Sequence, residues 1–206
     1  VYGLAKNYEA HAQFMHESGH SEIAHAPEDM VIFSKPSTSV IGPDDPIVIP
    51  SYSNDMNFEP EVAVIMGRIA KNVPVEKAMD YVLGFTCVND VTLRDLQGLD
   101  PMWTRAKGFD TSCPLGPWIQ TELDWKDAKI SFTLNGEDVP MASGTTANLI
   151  HGIPEQIAAI SSFSTLLPGD VIMTGPPNAS GHLDPGDEPI VHVAGIGSLR
   201  NVVVRG

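Results

Sequence analysis

Short apolar runs separated by proline and glycine dominate the chain, and most of them predict β-strands. The predicted strands cover residues 1–4, 31–33, 46–50, 58–67, 83–88, 130–134, 171–174, 189–194 and 199–204. The strand at 58–67 is largely apolar on both faces, which is typical of an inner strand of a sheet. Asn135-Gly136 predicts a two-residue hairpin turn. A mainly β or α+β domain is therefore expected.

In two segments the apolar residues are spaced as on one face of an α-helix. Apolar residues between Val75 and Val82 recur at i, i+3, i+4 and i+7, which predicts a helix of about three turns. Pro154 suits the first turn of a second helix that presents isoleucines along one side. Residues 11–30 show no sustained period and contain four histidines, so a mobile loop that is partly helical is expected there.

Composition narrows the classes of function. The chain has 206 residues, of which 42% are hydrophobic, and this suffices for one domain with a sizeable core. Twelve basic against 26 acidic residues give a net charge of −14, which argues against binding to nucleic acid or to an anionic membrane. No apolar run approaches the ~20 residues that span a bilayer. Cys87 and Cys113 are the only cysteines, so no disulfide framework is possible and a cytoplasmic location is expected.

Three acidic residues suggest a metal site. Glu59 and Glu61 lie two apart on the predicted strand 58–67, so their side chains share one face. Asp90 follows the predicted strand 83–88 and is the natural third ligand. An all-oxygen set without a nearby Cys or His favours Mg²⁺, Mn²⁺ or Ca²⁺. The alternative to a metal site is that Glu59 and Glu61 lie on a solvated edge strand and that Asp90 caps a turn.

Two further groups could carry chemistry. Lys107, beside an anion bound to a metal, could stabilise a developing oxyanion. His11 and Tyr8 could form an acid/base pair near the loop. The alternatives are a solvated surface lysine and a partly buried histidine with a backbone partner, and spacing alone leaves both pairs of readings open.

A series of motifs resembles the fumarylacetoacetate hydrolase (FAH) family. The motifs are Gly3-Leu4, Asn7-Tyr8, His11-Ala12, Phe33-Ser34-Lys35-Pro36-Ser37, Glu59-Pro60-Glu61, Asn89-Asp90-Val91-Thr92, Lys107-Gly108-Phe109-Asp110, Pro114-Leu115-Gly116-Pro117, Asn135-Gly136-Glu137 and Pro168-Gly169-Asp170. Each motif is short, but they occur in family order from residue 1 to about residue 204, and the ordered set is specific. The sequence resembles the bacterial members of oxaloacetate decarboxylase and acylpyruvase type.

The resemblance implies a fold and a cofactor. One catalytic domain over residues 1–206 is expected, built as a curled mixed β-sheet roll with a few short helices, as a homodimer, and with a lid at about residues 11–30. Family members often carry a segment before this domain, so a preceding N-terminal segment is expected to be missing. The resemblance also implies Mg²⁺ or Mn²⁺, and Ca²⁺ in some members, held by Glu59, Glu61 and Asp90.

The resemblance also assigns individual roles. The family's catalytic lysine and histidine fall on Lys107 and His11. The candidate substrate-binding residues are Gln97, Tyr8, Lys35, Arg94 and Thr174. Many members have a glutamate three residues after the histidine, where this chain has Phe14. Glu17, or alternatively Glu22, is the candidate to replace that glutamate by closing over the site with the loop.

The chemistry that the resemblance implies is that of 2-oxo acids. Such an acid chelates a divalent ion through its carboxylate and keto oxygens, and the ion stabilises the enolate that forms when the bond between C3 and C4 breaks. Hydrolysis would also need a water-activating base, and Phe14 replaces the usual glutamate. The sequence therefore favours a metal-dependent carbon–carbon lyase that decarboxylates oxaloacetate-like 2-oxo diacids. The alternatives are a fumarylpyruvate or acylpyruvate hydrolase, a hydroxyheptadienedioate isomerase and a structural cation-binding module.

Overall fold

The computed structural model describes residues 1–22 and 24–206, so position 23 of the expected loop lies outside it. The strands are β1 (Tyr2–Ala5), β2 (Val31–Ser34), β3 (Val40–Ile41), β4 (Pro46–Ile49), β5 (Met56–Phe58), β6 (Pro60–Met66), β7 (Val82–Asn89), β8 (Thr92–Leu93), β9 (Cys113–Gln120), β10 (Lys129–Leu134), β11 (Glu137–Asp138), β12 (Gly144–Thr145), β13 (Val171–Met173), β14 (Gly181–His182), β15 (Pro189–Val193), β16 (Gly197–Arg200) and β17 (Val202–Arg205). The α-helices are α1 (Glu9–Glu17), α2 (Arg94–Gln97), α3 (Thr104–Lys107) and α4 (Ile153–Phe163), and the 3₁₀ helices are Ser37–Ser39, Val75–Tyr81, Pro140–Ala142 and Thr146–Asn148.

The strands form a mixed arrangement of sheets. In the described part of the chain, seven strands build the largest sheet in the order β2-β1-β13-β6-β7-β9-β3. The pairs β1–β13 and β3–β9 are parallel, and the other neighbours are antiparallel. A second, antiparallel sheet has the order β11-β10-β15-β16, with β12 paired to β10. This curled, β-rich architecture with few helices confirms the predicted fold class.

Both sheets and α4 contribute to one main hydrophobic core. Val62 from β6 and Ile157 from α4 are fully buried in it. Phe58 stacks on Phe132 of β10, with ring centroids 4.1 Å apart. Full burial of such side chains stabilises the fold by about 1.5–3 kcal/mol each. The second sheet is therefore fixed against the large sheet close to the residues that precede β6.

Strand β6 is buried along its whole length, as its apolar pattern predicts. Val62 and Val64 face the main core, whereas Ala63 and Ile65 belong to a smaller cluster on the opposite face. Side chains alternate across a strand, so Glu61 shares its face with this smaller cluster. A carboxylate is thereby held at one end of a rigid, buried strand.

Local signals account for two further features. The hairpin between β10 and β11 has Asn135 at φ 55° and Gly136 at φ 84°, the positive values that a type I′ turn requires at both central positions. The expected loop at residues 11–30 begins inside α1 and continues without a further helix in its described residues, which confirms that it is partly helical. No helix in the described ranges is long and apolar enough to cross a membrane.

Two predicted elements differ from the structure. Residues 75–82 were expected to form an α-helix of about three turns, but Val75–Tyr81 is a 3₁₀ helix in which Ala78 alone is buried, so an α-helix would gain little from packing its apolar face. The predicted strand 199–204 is divided at Asn201 between two sheets. The Asn201 amide holds this division in place by donating to two carbonyl oxygens of the segment before β4, each at 2.9 Å.

Candidate active site

Three buried carboxylates meet at one end of the large sheet. Glu61 lies on β6, Glu59 directly precedes that strand, and Asp90 directly follows β7. The pairing of Pro60 with Asn89 brings these strand ends together, and the Asp90 amide donates to the Glu59 carbonyl at 2.9 Å. One oxygen from each of the three carboxylates lies within 4.8 Å of the others. The acids therefore converge as the strand pattern predicts.

Buried cations surround two of these acids. The ammonium nitrogen Nζ of Lys107 lies 2.6 Å from Glu59 Oε2 and 2.6 Å from Asp90 Oδ2. Lys35 Nζ lies 2.7 Å from Asp90 Oδ1, and the Arg94 guanidinium is bound to Glu59 Oε1. Burial alone would lower the pKa of Lys107, but Asp90 and Glu59 outweigh it and raise that pKa. The two carboxylates therefore favour the ammonium form of Lys107.

Glu61 differs from its two neighbours. No ion pair to Glu61 occurs among the described residues, and its Oε2 accepts a hydrogen bond from the Gly175 amide at 2.6 Å. Burial, together with the charges of Asp90 and Glu59, raises the pKa of Glu61 well above its ordinary range. Burial also opposes ionisation of Glu59, but Lys107 and other cations hold its pKa well below the ordinary value.

The chemistry of these donors fits a hard divalent cation. All three side chains offer carboxylate oxygens, the ligands that Mg²⁺, Mn²⁺ and Ca²⁺ prefer. Such an ion would supply the positive charge that Glu61 lacks, and it would relieve the repulsion among the three acids. Glu59, Glu61 and Asp90 are therefore the residues that could hold a metal.

A cavity of about 210 Å³ adjoins the acids. Glu59, Lys107 and Arg94 line one part of it together with Gln97 and His11. The side chains that line it elsewhere include Lys6, Met15, His20, Phe33 and Trp103. The cavity thus combines charged side chains with apolar ones, as expected of a site for a small charged molecule.

His11 is placed in the cavity by α1 and is 4% exposed. Its Nδ1 lies 2.7 Å from the Asn178 carbonyl oxygen, which can only accept, so Nδ1 carries the proton and Nε2 keeps a lone pair. Burial lowers the pKa of His11, with Glu59 opposing this effect, so the neutral form is favoured. Phe14 lies on the same helix with its ring centroid 6.4 Å from that of His11. His11 therefore offers a neutral proton acceptor with an aromatic neighbour at the position of the usual glutamate.

Over residues 1–204 the sequence matches the family described as the C-terminal domain of fumarylacetoacetate (FAA) hydrolase. The chain belongs to the FAH family. Human mitochondrial oxaloacetate tautomerase FAHD2A is 38% identical to this FAH domain over 190 residues, which cover 86% of this chain and 60% of that protein.

Solved structures of FAH proteins agree with this assignment. A 2-hydroxyhepta-2,4-diene-1,7-dioate isomerase from Mycobacterium marinum is 40% identical, with a TM-score of 0.88 over 100% of this chain and 74% of that one. Fumarylpyruvate hydrolase from Pseudomonas aeruginosa, in complex with Mn²⁺ and pyruvate, is 29% identical, with a TM-score of 0.88 over 100% of this chain and 89% of that one. The family resemblance is thus confirmed, and the named relatives are enzymes of three reaction types.

Two of the predicted substrate-binding residues of the FAH domain, Lys35 and Thr174, have internal partners. Lys35 donates to the Ser112 carbonyl at 2.5 Å and pairs with Asp90. The Thr174 hydroxyl donates to the Val62 carbonyl at 2.9 Å. Tyr8 is buried, and burial together with the charge of Glu61 raises the pKa of its phenol. Gln97 and Arg94 line the cavity. Lys35 and Thr174 instead support the acids and the chain around them, and the buried Tyr8 hydroxyl has no hydrogen-bond partner among the described residues.

Glu17 is not brought to the cavity. It is the last residue of α1 and is exposed, and its carboxylate accepts a hydrogen bond from Gln13 at 2.8 Å. Six residues separate Glu17 from His11, so the two side chains leave the helix roughly 120° apart. Glu22 is also exposed. The structure therefore gives the predicted role of Glu17 as a replacement base no support.

The sequence interpretation missed Lys6 and His20, which both line the cavity. Lys6 directly precedes the Asn7-Tyr8 motif, and that adjacency was the available signal. His20 is one of several histidines in a segment without a period, so the sequence held no signal that separates it from the others.

Proposed function

We propose that this FAH domain is a divalent-metal-dependent enzyme that enolises oxaloacetate-like 2-oxo diacids. The observation that carries the proposal is the convergence of Glu59 with Glu61 and Asp90, next to a cavity that Glu59, Lys107 and His11 line. Two comparisons support it. FAHD2A is an oxaloacetate tautomerase, and the fumarylpyruvate hydrolase structure holds Mn²⁺ and pyruvate, which is a 2-oxo acid.

The acidic residues and Lys107 would act on the keto acid end of the substrate. Glu59, Glu61 and Asp90 would hold Mg²⁺ or Mn²⁺. When bound, such an ion acts as a Lewis acid on the keto oxygen of a 2-oxo acid. The Lys107 ammonium is fixed by two of these carboxylates and lines the cavity, so it stabilises the negative charge that develops on the same oxygen.

His11 moves the proton. Its Nε2 takes a proton from C3 of the keto acid as the keto oxygen becomes negative, and then returns the proton to that oxygen. The keto and enol forms thereby interconvert without loss of any carbon. Arg94 Nη1 donates to Gln97 Oε1 at 2.6 Å, which fixes the Gln97 amide with its NH₂ group as the donor to a substrate oxygen.

Decarboxylation of the same diacid is the second candidate. It develops the same charge on the keto oxygen, and it needs no attacking water because CO₂ leaves when the C3–C4 bond breaks. The phenyl ring of Phe14 beside His11 favours both reactions over hydrolysis, since hydrolysis of an acylpyruvate needs a base that activates water.

The test follows enol-oxaloacetate by its ultraviolet absorbance and pyruvate by a coupled lactate dehydrogenase assay, with Mg²⁺ and with EDTA. Ketonisation above the free-metal background that EDTA abolishes is the expected result. Pyruvate formation at a rate equal to ketonisation would favour decarboxylation instead. Neither reaction above background, with cleavage of an acylpyruvate in parallel, would refute the proposal in favour of a hydrolase.

A further inference from the structure

Lys6 is a cationic side chain that lines the cavity. Arg94 and Lys107 also line this cavity, and both are bound to Glu59. Among the residues the structure describes, Lys6 forms no ion pair, and its Nζ donates to the Ser21 hydroxyl at 2.6 Å. An ammonium has three donors, so two N–H groups of Lys6 remain for a ligand.

The fold holds Lys6 at this position. It occupies the turn between β1 and α1 with φ 55°, a left-handed conformation that glycine adopts at lower cost than lysine. Its side chain is half-buried, and this burial lowers the pKa of its ammonium. The partly desolvated charge therefore gains more from an anionic partner than a solvated surface lysine would.

We propose that Lys6 binds the distal carboxylate of the substrate and makes the cavity selective for 2-oxo diacids. This inference rests on the proposed function for the keto acid end of the substrate. With that end at the three acids, the second carboxylate lies in a cavity whose other lining includes Met15, Phe33 and Trp103. A carboxylate next to such apolar surface needs a positively charged partner. Arg94 and Lys107 already pair with Glu59, whereas Lys6 has no ion-pair partner among the described residues.

The same contact favours enolisation over loss of CO₂. In enolisation the C3–H bond breaks, its electron pair moves toward the keto oxygen, and the proton passes through His11 to that oxygen, while the distal carboxylate keeps its charge. In decarboxylation the C3–C4 bond breaks, its electron pair moves toward the same oxygen, and the carboxylate leaves as neutral CO₂. Lys6 stabilises the charged carboxylate and so raises the barrier to the second reaction.

The test is calorimetric titration of the Mg²⁺-loaded protein with L-malate and with 2-hydroxybutanoate, which share the chelating end and differ in the distal carboxylate. Wild type is expected to bind malate about tenfold more tightly, the effect of one charge-assisted contact. Lys6→Met should remove this preference and Lys6→Arg should keep it. Lys77→Met, an exposed lysine on the 3₁₀ helix, is the matched control for the change in net charge and should keep it too.

Ser21→Ala separates the charge of Lys6 from its contact with the loop. It should keep the preference for malate, because the ammonium remains. A wild type that binds both ligands equally, a preference that survives Lys6→Met, or an equal loss in Ser21→Ala would overturn the inference. The titration needs no turnover, so inactivity toward oxaloacetate would reject the proposed function while the result for Lys6 still stands.

The partition of oxaloacetate gives a second readout. Lys6→Met should raise the ratio of pyruvate formed to oxaloacetate ketonised several-fold relative to wild type and to Lys77→Met. An unchanged ratio would show that Lys6 does not restrain the loss of CO₂.

Discussion

Replacement of Glu61 by glutamine should change the stability of the metal-free protein and that of the metal-bound protein in opposite directions. Glu61 is 1% exposed and has no cationic partner within the described residues, and its carboxylate lies beside those of Glu59 and Asp90. A glutamine keeps the shape of the side chain and can still accept the hydrogen bond from the Gly175 amide. The change therefore removes the ionisable carboxyl group while leaving the local packing intact.

The expected effect of Glu61→Gln on the free energy of unfolding changes sign when the metal binds. In EDTA at neutral pH, Glu61→Gln should stabilise the protein by about 1–3 kcal/mol, because the raised pKa of Glu61 means that ionisation of this carboxyl destabilises the folded state, and glutamine does not ionise. Each kcal/mol corresponds to about 2–4 °C in Tm for a chain of this size. With Mg²⁺ at about 100 times its Kd, wild type gains about 2.7 kcal/mol, whereas a variant with two carboxylates gains far less. The variant should thus melt above wild type in EDTA and below it in Mg²⁺.

The assay is differential scanning calorimetry of both proteins in EDTA and across a Mg²⁺ series. Glu76→Gln, at an exposed position of the 3₁₀ helix, is the matched control and should leave both the stability and the Mg²⁺ response unchanged. The reasoning is refuted if Mg²⁺ raises the Tm of Glu61→Gln as much as that of wild type, or if the variant melts below wild type in EDTA.

The remaining predictions concern turnover of oxaloacetate. Lys107→Met should lower kcat about 100-fold or more, the effect of losing a charge aimed at a developing oxyanion, while Mg²⁺ still binds in calorimetry. His11→Gln should lower kcat by about 10²–10⁴-fold with little change in KM, since it removes the proton acceptor. Glu17→Gln should leave both constants unchanged in steady-state assays, because this exposed carboxylate contacts Gln13 and not the cavity.

Each of these variants has a contradicting outcome. Loss of Mg²⁺ binding in Lys107→Met would show that this ammonium organises the acids rather than acting on the substrate. A rise in KM without a fall in kcat for His11→Gln would assign the histidine to binding. A large loss of activity in Glu17→Gln would restore the loop carboxylate as a base and would require the segment after α1 to close over the cavity.

The convergence of the three acids was predictable because it depends on local rules. The two-residue period of a strand puts Glu59 and Glu61 on one face, and an apolar strand that ends in Asn89-Asp90 offers the third carboxylate. Their cationic partners were not predictable in the same way. Lys35 pairs with Asp90 across 55 residues and Arg94 with Glu59 across 35, so tertiary packing alone decides these contacts.

Other differences arise where two local signals compete. An apolar run over residues 199–204 predicts one strand, but the hydrogen bonds of Asn201 divide it between two sheets. The sequence around α1 has no sustained helical period, so the start of this helix could not be predicted. In the helix, the angular spacing of residues places Glu17 and His11 on different faces. Lys6 was missed because a lone lysine before a motif has no period. Only the folded structure shows that none of the described acidic residues pairs with it.

Anomalous X-ray scattering from crystals grown with Mn²⁺ tests the central claim most directly. The predicted result is one strong peak at ligand distance, about 2.1 Å, from a carboxylate oxygen of each of Glu59, Glu61 and Asp90, with open coordination positions facing the cavity. Full occupancy of Mn²⁺ elsewhere, with no anomalous peak beside Glu59, Glu61 and Asp90, would contradict it.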